Sequence, residues 1–461
     1  MRVEPSSLDR WRTALTGSPG GQLVLLGNFE VEDRWGAEEP GVSRLSPRRS
    51  RAVENRMDEF TLLLAGPDDL VILKEAPDPG YLRYLAELGV DPPHVCVPSR
   101  QDPEEIVTDD VLQDPRLVKE LSSVARPGAH LWPHGVSETE ERLAELSGLP
   151  LAAPPTTVCK RVNSKIYSRR AAETLGLRQP DGVACTSVEE FADALPVGRR
   201  WLADGGRCAV KDAYGVSGKG IVLVDDERQL DQIHRMMVRR ADRTGQHRLG
   251  VVLERWVPKS ADLNYQFTIG REGGVHLDFV REAVTERGVH VGHRIPARLT
   301  PAQLDRVREA TQLLGGRLAA DGYFGLAGVD ALVDPDGDLY PVIEINARNN
   351  MSTYQEPVRE RFVPAEGAAL ATRYPVRLTR PLPFAGLRRL LAGLLFQRPG
   401  DDGLLVNNFA TVNAGRGTAG EPFGGRLHGI VVAGSPERAA DIDREIRSRL
   451  TALDREGDHV Q

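Results

Sequence analysis

Lysine residues around a glycine-rich turn are the first side chains in this sequence whose types and spacing could do chemistry. In AVKDAYGVSGKGIVLV, residues 209–224, Lys211 lies on a predicted strand, and Ser217, Gly218 and Lys219 lie in the loop after it. Glycines let backbone N–H groups approach an anion, and lysine adds a compact positive charge. A second strand follows the loop, whereas a Walker A loop has Ser or Thr after its lysine and opens a helix. The segment indicates phosphate binding, with a plain hairpin turn as the alternative.

Oxygen-bearing side chains on the two arms of a predicted hairpin form the second set. Asp330 lies in GVDALV, and Glu344 and Asn346 lie in VIEINARNN, beyond an Asp-Gly turn. Side chains two residues apart on a strand share a face, and paired arms bring opposite residues together. Carboxylate and amide oxygens suit Mg²⁺, and Arg348, on the same face, could hold a phosphoryl or acyl-phosphate oxygen. The alternative is a row of exposed polar residues on a sheet.

A strand that ends in VVLERWVP, residues 251–258, carries the third set. Glu254 could accept a hydrogen bond from an adenine amino group, and the backbone at Trp256 and Val257 could contact the adenine ring. Asp262 follows a few residues later, where a carboxylate could bind ribose hydroxyls. An ordinary surface strand end is the alternative.

In this order, the three sets resemble the ATP-grasp superfamily of carboxylate ligases over about residues 156–360. The resemblance implies that ATP binds with Mg²⁺, with two ions expected and Mn²⁺ as a substitute. It also implies that residues 214–220 close over the triphosphate. The matched residues are Lys165, in NSKIYSRRAAETLGL, and Lys211 for the phosphates; Glu254, Trp256 and Val257 for adenine; Asp262, with Asn264 as its competitor, for ribose; and Asp330, Glu344 and Asn346 for Mg²⁺.

The sequence departs from the family at the arginine that D-alanine ligases place two residues before the hairpin aspartate. Gly328 stands there, so an anion must be stabilised from elsewhere. Arg348 is the first candidate, and Arg281, in FVREAV, and Arg294, in GHRIP, are the next. Lys219 in the glycine-rich loop is a further catalytic candidate. The alternative for Arg281 and Arg294 is that they are ordinary surface arginines.

Short apolar runs that alternate with helical patterns before residue 155 predict a parallel α/β layer. The predicted strands there cover residues 22–29, 60–66, 69–74 and 94–99. With the resemblance, the prediction is a mixed α/β and α+β protein with an ATP-grasp fold. Its domains are an N-terminal pre-ATP-grasp α/β domain over 1–155, an ATP-grasp core over 156–372 with subdomains 156–258 and 259–372, and a small C-terminal α+β domain over 373–461.

The overall composition excludes several classes of protein. A hydrophobic content of 40% with 27% charged residues is ordinary for a soluble globular protein, and no apolar run is long enough to cross a membrane. The N-terminal MRVEPSSLDRW lacks the apolar region of a signal peptide, so we expect a cytoplasmic protein. A net charge of -7 disfavours a nucleic-acid partner, and four cysteines without a CxxC pair predict reduced thiols. The composition does not decide whether the protein forms homo-oligomers.

The C-terminal segments LLVNNFATVN and GRLHGIVVAG resemble the pheganomycin-type peptide ligases of actinomycetes. The resemblance implies an enzyme of antibiotic biosynthesis that joins a small carboxylate donor, such as a nonproteinogenic, guanidino-bearing amino acid, to a peptide N-terminus. The donor carboxylate would be activated by ATP as an acyl phosphate, and a peptide or amino-acid amine would displace phosphate. The alternatives are an amino-acid or dipeptide ligase, a carboxylase, and a nucleotide-binding regulatory protein without catalysis.

Overall fold

The computed structural model describes residues 5–37, 39–42, 51–215, 220–286, 289–417 and 421–457. Its first part is built on four parallel strands, β1 (Leu23–Leu26), β2 (Leu70–Ile72), β3 (His94–Cys96) and β4 (His130–Pro133). Their order in the sheet is β3-β2-β1-β4, and β1 is wholly buried, as parallel strands covered on both faces are. The helices of this part of the chain are α1 (Ser7–Thr16), α2 (Val31–Trp35), α3 (Ala52–Asn55), α4 (Thr61–Leu64), α5 (Pro79–Glu87), α6 (Val107–Leu112), α7 (Pro115–Val124) and α8 (Glu138–Ser147).

The predicted strand over residues 60–66 is wrong. The chain forms a 3₁₀ turn over Arg56–Phe60 that continues into the helical turn α4. All four residues of α4 are buried, because the turn packs against helix α14 (described below) and belongs to the apolar core that the N-terminal sheet shares with the C-terminal strands. A short run that is apolar on every side carries no periodicity, so the sequence alone does not separate a strand from a buried helical turn.

A four-stranded antiparallel sheet follows and carries the glycine-rich segment. Its strands are β5 (Gly182–Ser187), β6 (Cys208–Asp212), β7 (Ile221–Val224) and β8 (Arg248–Arg255), in the order β5-β8-β6-β7. The helices of this part are α9 (Thr156–Val162), α10 (Lys165–Thr174), α11 (Val188–Ala203) and α12 (Glu227–Thr244). The predicted strands on both sides of the glycine-rich loop are confirmed as β6 and β7.

The largest sheet within the described ranges is antiparallel and has eight strands, in the order β13-β12-β9-β10-β11-β14-β16-β15. The strands are β9 (Ala261–Ile269), β10 (Val275–Glu286), β11 (Val289–Ile295), β12 (Gly325–Val333), β13 (Leu339–Asn346), β14 (Ala368–Leu378), β15 (Gly403–Asn408) and β16 (Phe423–Ala433). The helices are α13 (Pro301–Ala320), α14 (Met351–Phe362), α15 (Phe384–Leu390) and α16 (Pro436–Gly457). The predicted boundary between residues 372 and 373 falls inside β14, so one sheet runs through it.

The two faces of this sheet differ in chemistry, and this difference positions the candidate site. On β9, alternate residues such as Tyr265 and Phe267 are buried in an apolar core with Leu314 of α13. The residues between them, Asn264 and Gln266, point to the other face, where α14 supplies polar partners. Around β9, the sheet therefore has one apolar and one polar face. Within the described ranges, no helix combines the length and apolar character that a membrane crossing needs.

The buried imidazole of His428 on β16 predicts a loss of stability in weak acid. Burial, followed by the charges of Arg426 and Arg373, lowers the pKa of His428 to about 3. The unfolded imidazole titrates near 6.5, so below that pH the unfolded chain binds the proton first and unfolding becomes easier by about 1.4 kcal/mol per pH unit. Between about pH 7 and pH 5, His428→Phe should therefore lose about 2 kcal/mol less unfolding free energy than the wild type. Urea unfolding at both pH values measures this difference.

The matched control is Leu427→Ala, because Leu427 is buried next to His428 on β16 and carries no titratable group. This variant should be less stable than the wild type at both pH values but should lose as much stability between them. An unchanged loss in His428→Phe would contradict the assignment of the effect to the buried imidazole.

Candidate active site

The hairpin of β12 and β13 brings the three oxygen-bearing side chains together. Asp330 stands directly opposite Glu344 in the register of the strands, and Asn346 lies two residues further on the same face. The Asn346 amide nitrogen is 3.4 Å from Asp330 Oδ2. Burial raises the pKa of both carboxyl groups, even though nearby cations act in the opposite direction. The hairpin thus presents two crowded, desolvated carboxylates that favour a positive partner.

Lys165, the first residue of α10, supplies one positive charge. Its Nζ atom is 2.6 Å from Glu344 Oε1 and 3.1 Å from the carbonyl oxygen of Gly215, at the start of the glycine-rich loop. Ser164 fixes the start of the helix as its N-cap. Burial alone would lower the pKa of Lys165, but Glu344 and the neighbouring acids raise it above its ordinary value. The ammonium therefore connects the hairpin carboxylates to the beginning of the loop.

Arg348 supplies the second positive charge and joins the hairpin to the N-terminal sheet. Its Nε atom donates to Glu32 Oε1 at 2.7 Å, its Nη2 atom donates to the same oxygen, and Nη2 also donates to Asn346 Oδ1 at 3.0 Å. Burial would lower the pKa of Arg348, but Glu32 and then the hairpin carboxylates raise it. Glu32 lies on α2, so this buried ion pair holds helix α2 against the end of β13.

Lys211 forms a second charged group with residues from two other elements. Its Nζ atom pairs with Glu254 Oε1, which lies on the neighbouring strand β8. Arg169 Nη1 is 3.7 Å from the other carboxylate oxygen of Glu254. Arg169 stands one turn beyond Lys165 on α10, so this helix contacts both charged groups. The lysines matched to phosphate binding are therefore positioned by one helix and one adjoining strand.

The connector after β8 contains Trp256 and Val257, both partly exposed. The backbone N–H of Trp256 donates to the carbonyl oxygen of Arg207 at 2.9 Å, so in this conformation it stabilises the connector. We therefore predict that the backbone of Val257, and not the N–H of Trp256, contacts an adenine ring.

Of the two residues considered for ribose, Asp262 is the more accessible. Its carboxylate is 2.6 Å from Lys259 Nζ, and its side chain is 20% exposed. Asn264 is buried, donates to Asp330 Oδ1 at 2.9 Å and accepts from Ser352 Oγ at 2.6 Å. The role of Asn264 visible in the structure is to orient Asp330.

Arg281 and Arg294 are held away from the hairpin carboxylates. Arg281 is buried, its guanidinium is 2.5 Å from Glu356 of α14, and burial lowers its pKa to about 10. Arg294 is half exposed and lies 2.7 Å from Glu282. These two residues are direct partners on neighbouring strands and share the face of the sheet opposite to that of Asp330 and Glu344. Arg348 is the arginine of the three that touches the hairpin residues. The other loop candidates, Ser217, Gly218 and Lys219, lie outside the described residues.

The glycine that departs from the family pattern has a packing reason. A Cβ atom at Gly328 would lie 2.1 Å from the Asn350 side-chain nitrogen, so the hairpin has no room there. Asn350 caps α14, accepting from the backbone N–H groups of Ser352 and Thr353. The space that an arginine would need at 328 is therefore occupied by the cap of the helix after the hairpin.

Sequence reasoning missed Glu32 and Arg169, which both contact predicted site residues. Glu32 lies 316 positions from Arg348, and no local spacing marks it. Arg169 carries a weak signal, because it stands four residues after Lys165 and so shares one side of α10 with it.

The donor set fits a hard divalent cation. Two partly buried carboxylates and an amide side chain lie on one face of the hairpin. Carboxylate and amide oxygens are ligands that Mg²⁺ prefers. Their raised pKa values show that the present cations do not fully offset the cost of burying them. Asp330, Glu344 and Asn346 are therefore the residues that would hold Mg²⁺.

Comparison with known families supports the same architecture. Residues 57–149 match the family described as "Pre ATP-grasp domain", and residues 165–359 match "Carbamoyl-phosphate synthase L chain, ATP binding domain". The second match contains Lys165, Lys211, Glu254 and the whole hairpin. The chain thus has the ATP-grasp fold with a pre-ATP-grasp domain, and the fold expected from the sequence is confirmed.

Two curated relatives show how far the similarity extends. The [butirosin acyl-carrier protein]–L-glutamate ligase of Niallia circulans is 28% identical over 316 residues, which cover 67% of this chain and 68% of that protein. The carbamoyl phosphate synthase large chain of Myxococcus xanthus is 24% identical over 250 residues, or 53% of this chain. This chain spans only 21% of the length of that synthase.

Solved structures share the fold at low sequence identity. The biotin carboxylase domain dimer of 2-oxoglutarate carboxylase from Hydrogenobacter thermophilus, solved with MgADP and bicarbonate, has a TM-score of 0.54 and 17% identity, over 92% of this chain and 89% of that one. An ADP complex of N5-carboxyaminoimidazole ribonucleotide synthetase has a TM-score of 0.53 and 14% identity, over 95% and 98% of the two chains.

The contact between Gly328 and Asn350 predicts a steric effect that a second substitution relieves. Gly328→Ala should lower the free energy of unfolding by about 1–3 kcal/mol, because the new methyl displaces the Asn350 amide from its capping position. In Gly328→Ala/Asn350→Ser the shorter side chain still caps α14, so the double variant should be more stable than the sum of the single losses predicts. Denaturant unfolding of the four proteins gives this coupling energy.

Gly316→Ala on α13 is the control, since a Cβ atom there meets no atom within 4 Å. It should not destabilise the protein. Strictly additive losses at 328 and 350 would contradict the steric explanation.

Proposed function

We propose that this protein is an ATP-dependent carboxylate–amine ligase, and that it joins a small carboxylate donor to the N-terminal amine of a peptide. A donor carboxylate oxygen attacks the γ-phosphorus of ATP, the bond to ADP breaks, and an acyl phosphate forms. The amine nitrogen then attacks the acyl carbon, the carbon–oxygen bond to phosphate breaks, and the amine loses a proton. The products are the amide, ADP and phosphate.

The observation that carries this proposal is the alternation of charge around the hairpin. Lys165 contacts Glu344 at 2.6 Å, and Arg348 contacts Asn346 at 3.0 Å, on one buried face. A triphosphate with its metal ion needs both cations and oxygen ligands at one place, and this face offers both. The match of residues 165–359 to an ATP binding domain supports the same assignment.

The residues of this chain then have separate roles in phosphoryl transfer. Lys165 and Lys211 bind phosphate oxygens, and Glu254, the Val257 backbone and Asp262 orient the nucleoside. Mg²⁺ held by Asp330, Glu344 and Asn346 would neutralise charge on the phosphates. Catalysis by positioning and charge neutralisation requires no side-chain nucleophile.

Arg348 is the residue proposed to hold the transferred phosphoryl group. Its guanidinium is already oriented by Glu32, which uses one oxygen to contact both Nε and Nη2. Its Nη1 atom donates to the carbonyl oxygen of Asn349 at 2.8 Å. A phosphoryl oxygen would replace one of these acceptors, because the arginine fork matches the geometry of phosphate as well as that of carboxylate.

The donor pocket is proposed at the carboxyl ends of the parallel strands. β4 ends at Pro133, and the carbonyl oxygen of His134 accepts the Asn349 N–H at 3.0 Å, beside Arg348. Ligands of open parallel sheets bind outside the carboxyl ends of the strands, which supports this placement. A donor carboxylate there lies next to the arginine that would receive its phosphate.

A second candidate concerns the acceptor or its carrier. The relative from Niallia circulans is named for an acyl-carrier protein and L-glutamate, and it is similar over two thirds of both chains. A substrate presented by a carrier protein is therefore the alternative to a free peptide. The chemistry at the hairpin is the same in both cases.

Mass spectrometry of a reaction mixture tests the proposed reaction. Purified protein, ATP and Mg²⁺ would be combined with short peptides, amino acids and guanidino acids, with and without a loaded carrier protein. We expect ADP and a product heavier by one acyl group at a peptide amine. A product found only with the carrier would favour the second candidate, and AMP with pyrophosphate would contradict the acyl-phosphate route.

Removal of one hairpin carboxylate should strongly decrease turnover without unfolding the protein. Glu344→Ala loses both a metal ligand and the partner of Lys165, so ADP formation should fall by roughly 100-fold or more. Glu282→Ala on β10 is the matched control, because Glu282 faces the other side of the sheet, beside Arg294. Circular dichroism verifies the folds, and near-normal turnover in Glu344→Ala would refute the assignment of this hairpin.

A further inference from the structure

Three side chains that can bind a soft metal meet at the edge of the N-terminal parallel sheet. β3 is the edge strand, next to β2, and it carries His94 and Cys96. The two residues are two apart, so their side chains share one face of the strand. Glu120 of helix α7 reaches the same place. One atom of each side chain, an imidazole nitrogen, the thiol sulfur and a carboxylate oxygen, lies within 4.8 Å of the others.

The polar atoms of these three side chains have no hydrogen-bonding or ionic partner in the rest of the described structure. Across the described ranges, the imidazole of His94, the thiol of Cys96 and the carboxylate of Glu120 make no hydrogen bond or ion pair with another residue. His94 and Glu120 are exposed, while Cys96 is only 3% exposed and packs with Leu117 and Leu121 of α7. The cluster is therefore open to solvent on one side and fixed by the apolar core on the other.

We propose that His94, Cys96 and Glu120 form a Zn²⁺ site that fastens helix α7 to the edge strand β3. Nitrogen, thiolate sulfur and carboxylate oxygen are the usual zinc ligands, and water completes a tetrahedral set on the exposed side. Mg²⁺ prefers oxygen ligands, so the hairpin carboxylates and this cluster differ in the metal they select. Binding releases the thiol proton to solvent, as metal binding by cysteine requires.

The position of this site, between the edge strand β3 and helix α7, points to a structural role, although the water in its fourth position leaves it open to other ligands. Among the described strands, β3 pairs with β2 alone, so one side of this three-residue edge strand has no described β partner. A metal bound between β3 and α7 would hold this short edge strand in place, and edges of this kind are the weak points of a sheet. The proposal is independent of the ligase reaction.

The other cysteines supply internal controls. Cys159, Cys185 and Cys208 are also free and buried, but in the part of the chain that the structure describes none of them belongs to a group of metal-ligating side chains. Cys208→Ser removes a buried thiol in a different sheet. It should therefore leave the proposed site unchanged.

A Co²⁺ titration of the full chain under reducing conditions tests the site, with excess Mg²⁺ present to occupy oxygen-only sites. Thiolate ligation gives a sulfur-to-cobalt charge-transfer band in the near ultraviolet. We expect this band at one Co²⁺ per chain, displaced by one Zn²⁺, in the wild type, in Cys208→Ser and in Glu344→Ala. It should be absent from Cys96→Ser and weakened at least about 10-fold in affinity in His94→Ala and Glu120→Gln.

The two surface variants keep the test decisive if Cys96→Ser folds poorly, because His94 and Glu120 are exposed. Zn²⁺ should also raise the melting temperature of the wild type, and this rise should disappear in His94→Ala. Absence of the band from the wild type would overturn the proposal. A band that survives in His94→Ala and Glu120→Gln with unchanged affinity would also overturn it, since it would show adventitious binding to the thiol alone.

Discussion

Opposite charges buried on the polar face of the large sheet are the constraint on which the site depends. Asp330 and Glu344 are fixed opposite each other by the hairpin register, and their charges repel at short range. Lys165 and Arg348 offset that repulsion. Lys165 pairs with Glu344 itself, whereas Arg348 is held beside the hairpin by Glu32. Removing one partner of a buried ion pair leaves an uncompensated charge, which is far more costly than losing a surface pair. The relative positions of the sheets are therefore tied to this group of charges.

The same contacts connect regions that lie far apart in the sequence. Helix α10 links the glycine-rich segment to the hairpin through Lys165, and it reaches Glu254 through Arg169. Helix α2 links the N-terminal sheet to the hairpin through Glu32. A site made in this way can respond as a unit, because a ligand that replaces one ionic partner changes the charge balance of the others.

Local patterns in the sequence predicted the parts of this site that depend on neighbouring residues. The alternation in GVDALV and VIEINA and the Asp-Gly turn indicated the hairpin. Long-range pairs left no such pattern. Glu32 contacts a residue 316 positions away, and the exclusion of an arginine at 328 follows from the Asn350 side chain in another element. Residues 60–66 were mistaken for a strand because burial on every side removes periodicity.

The location of the metal ion tests the hairpin assignment most directly. Crystals grown with Mn²⁺ and a non-hydrolysable ATP analogue would show the metal by its anomalous scattering. We expect manganese between Asp330, Glu344 and Asn346, with Lys165 moved from Glu344 to a phosphate oxygen. Bound analogue with manganese elsewhere, or with Lys165 still paired to Glu344, would contradict it.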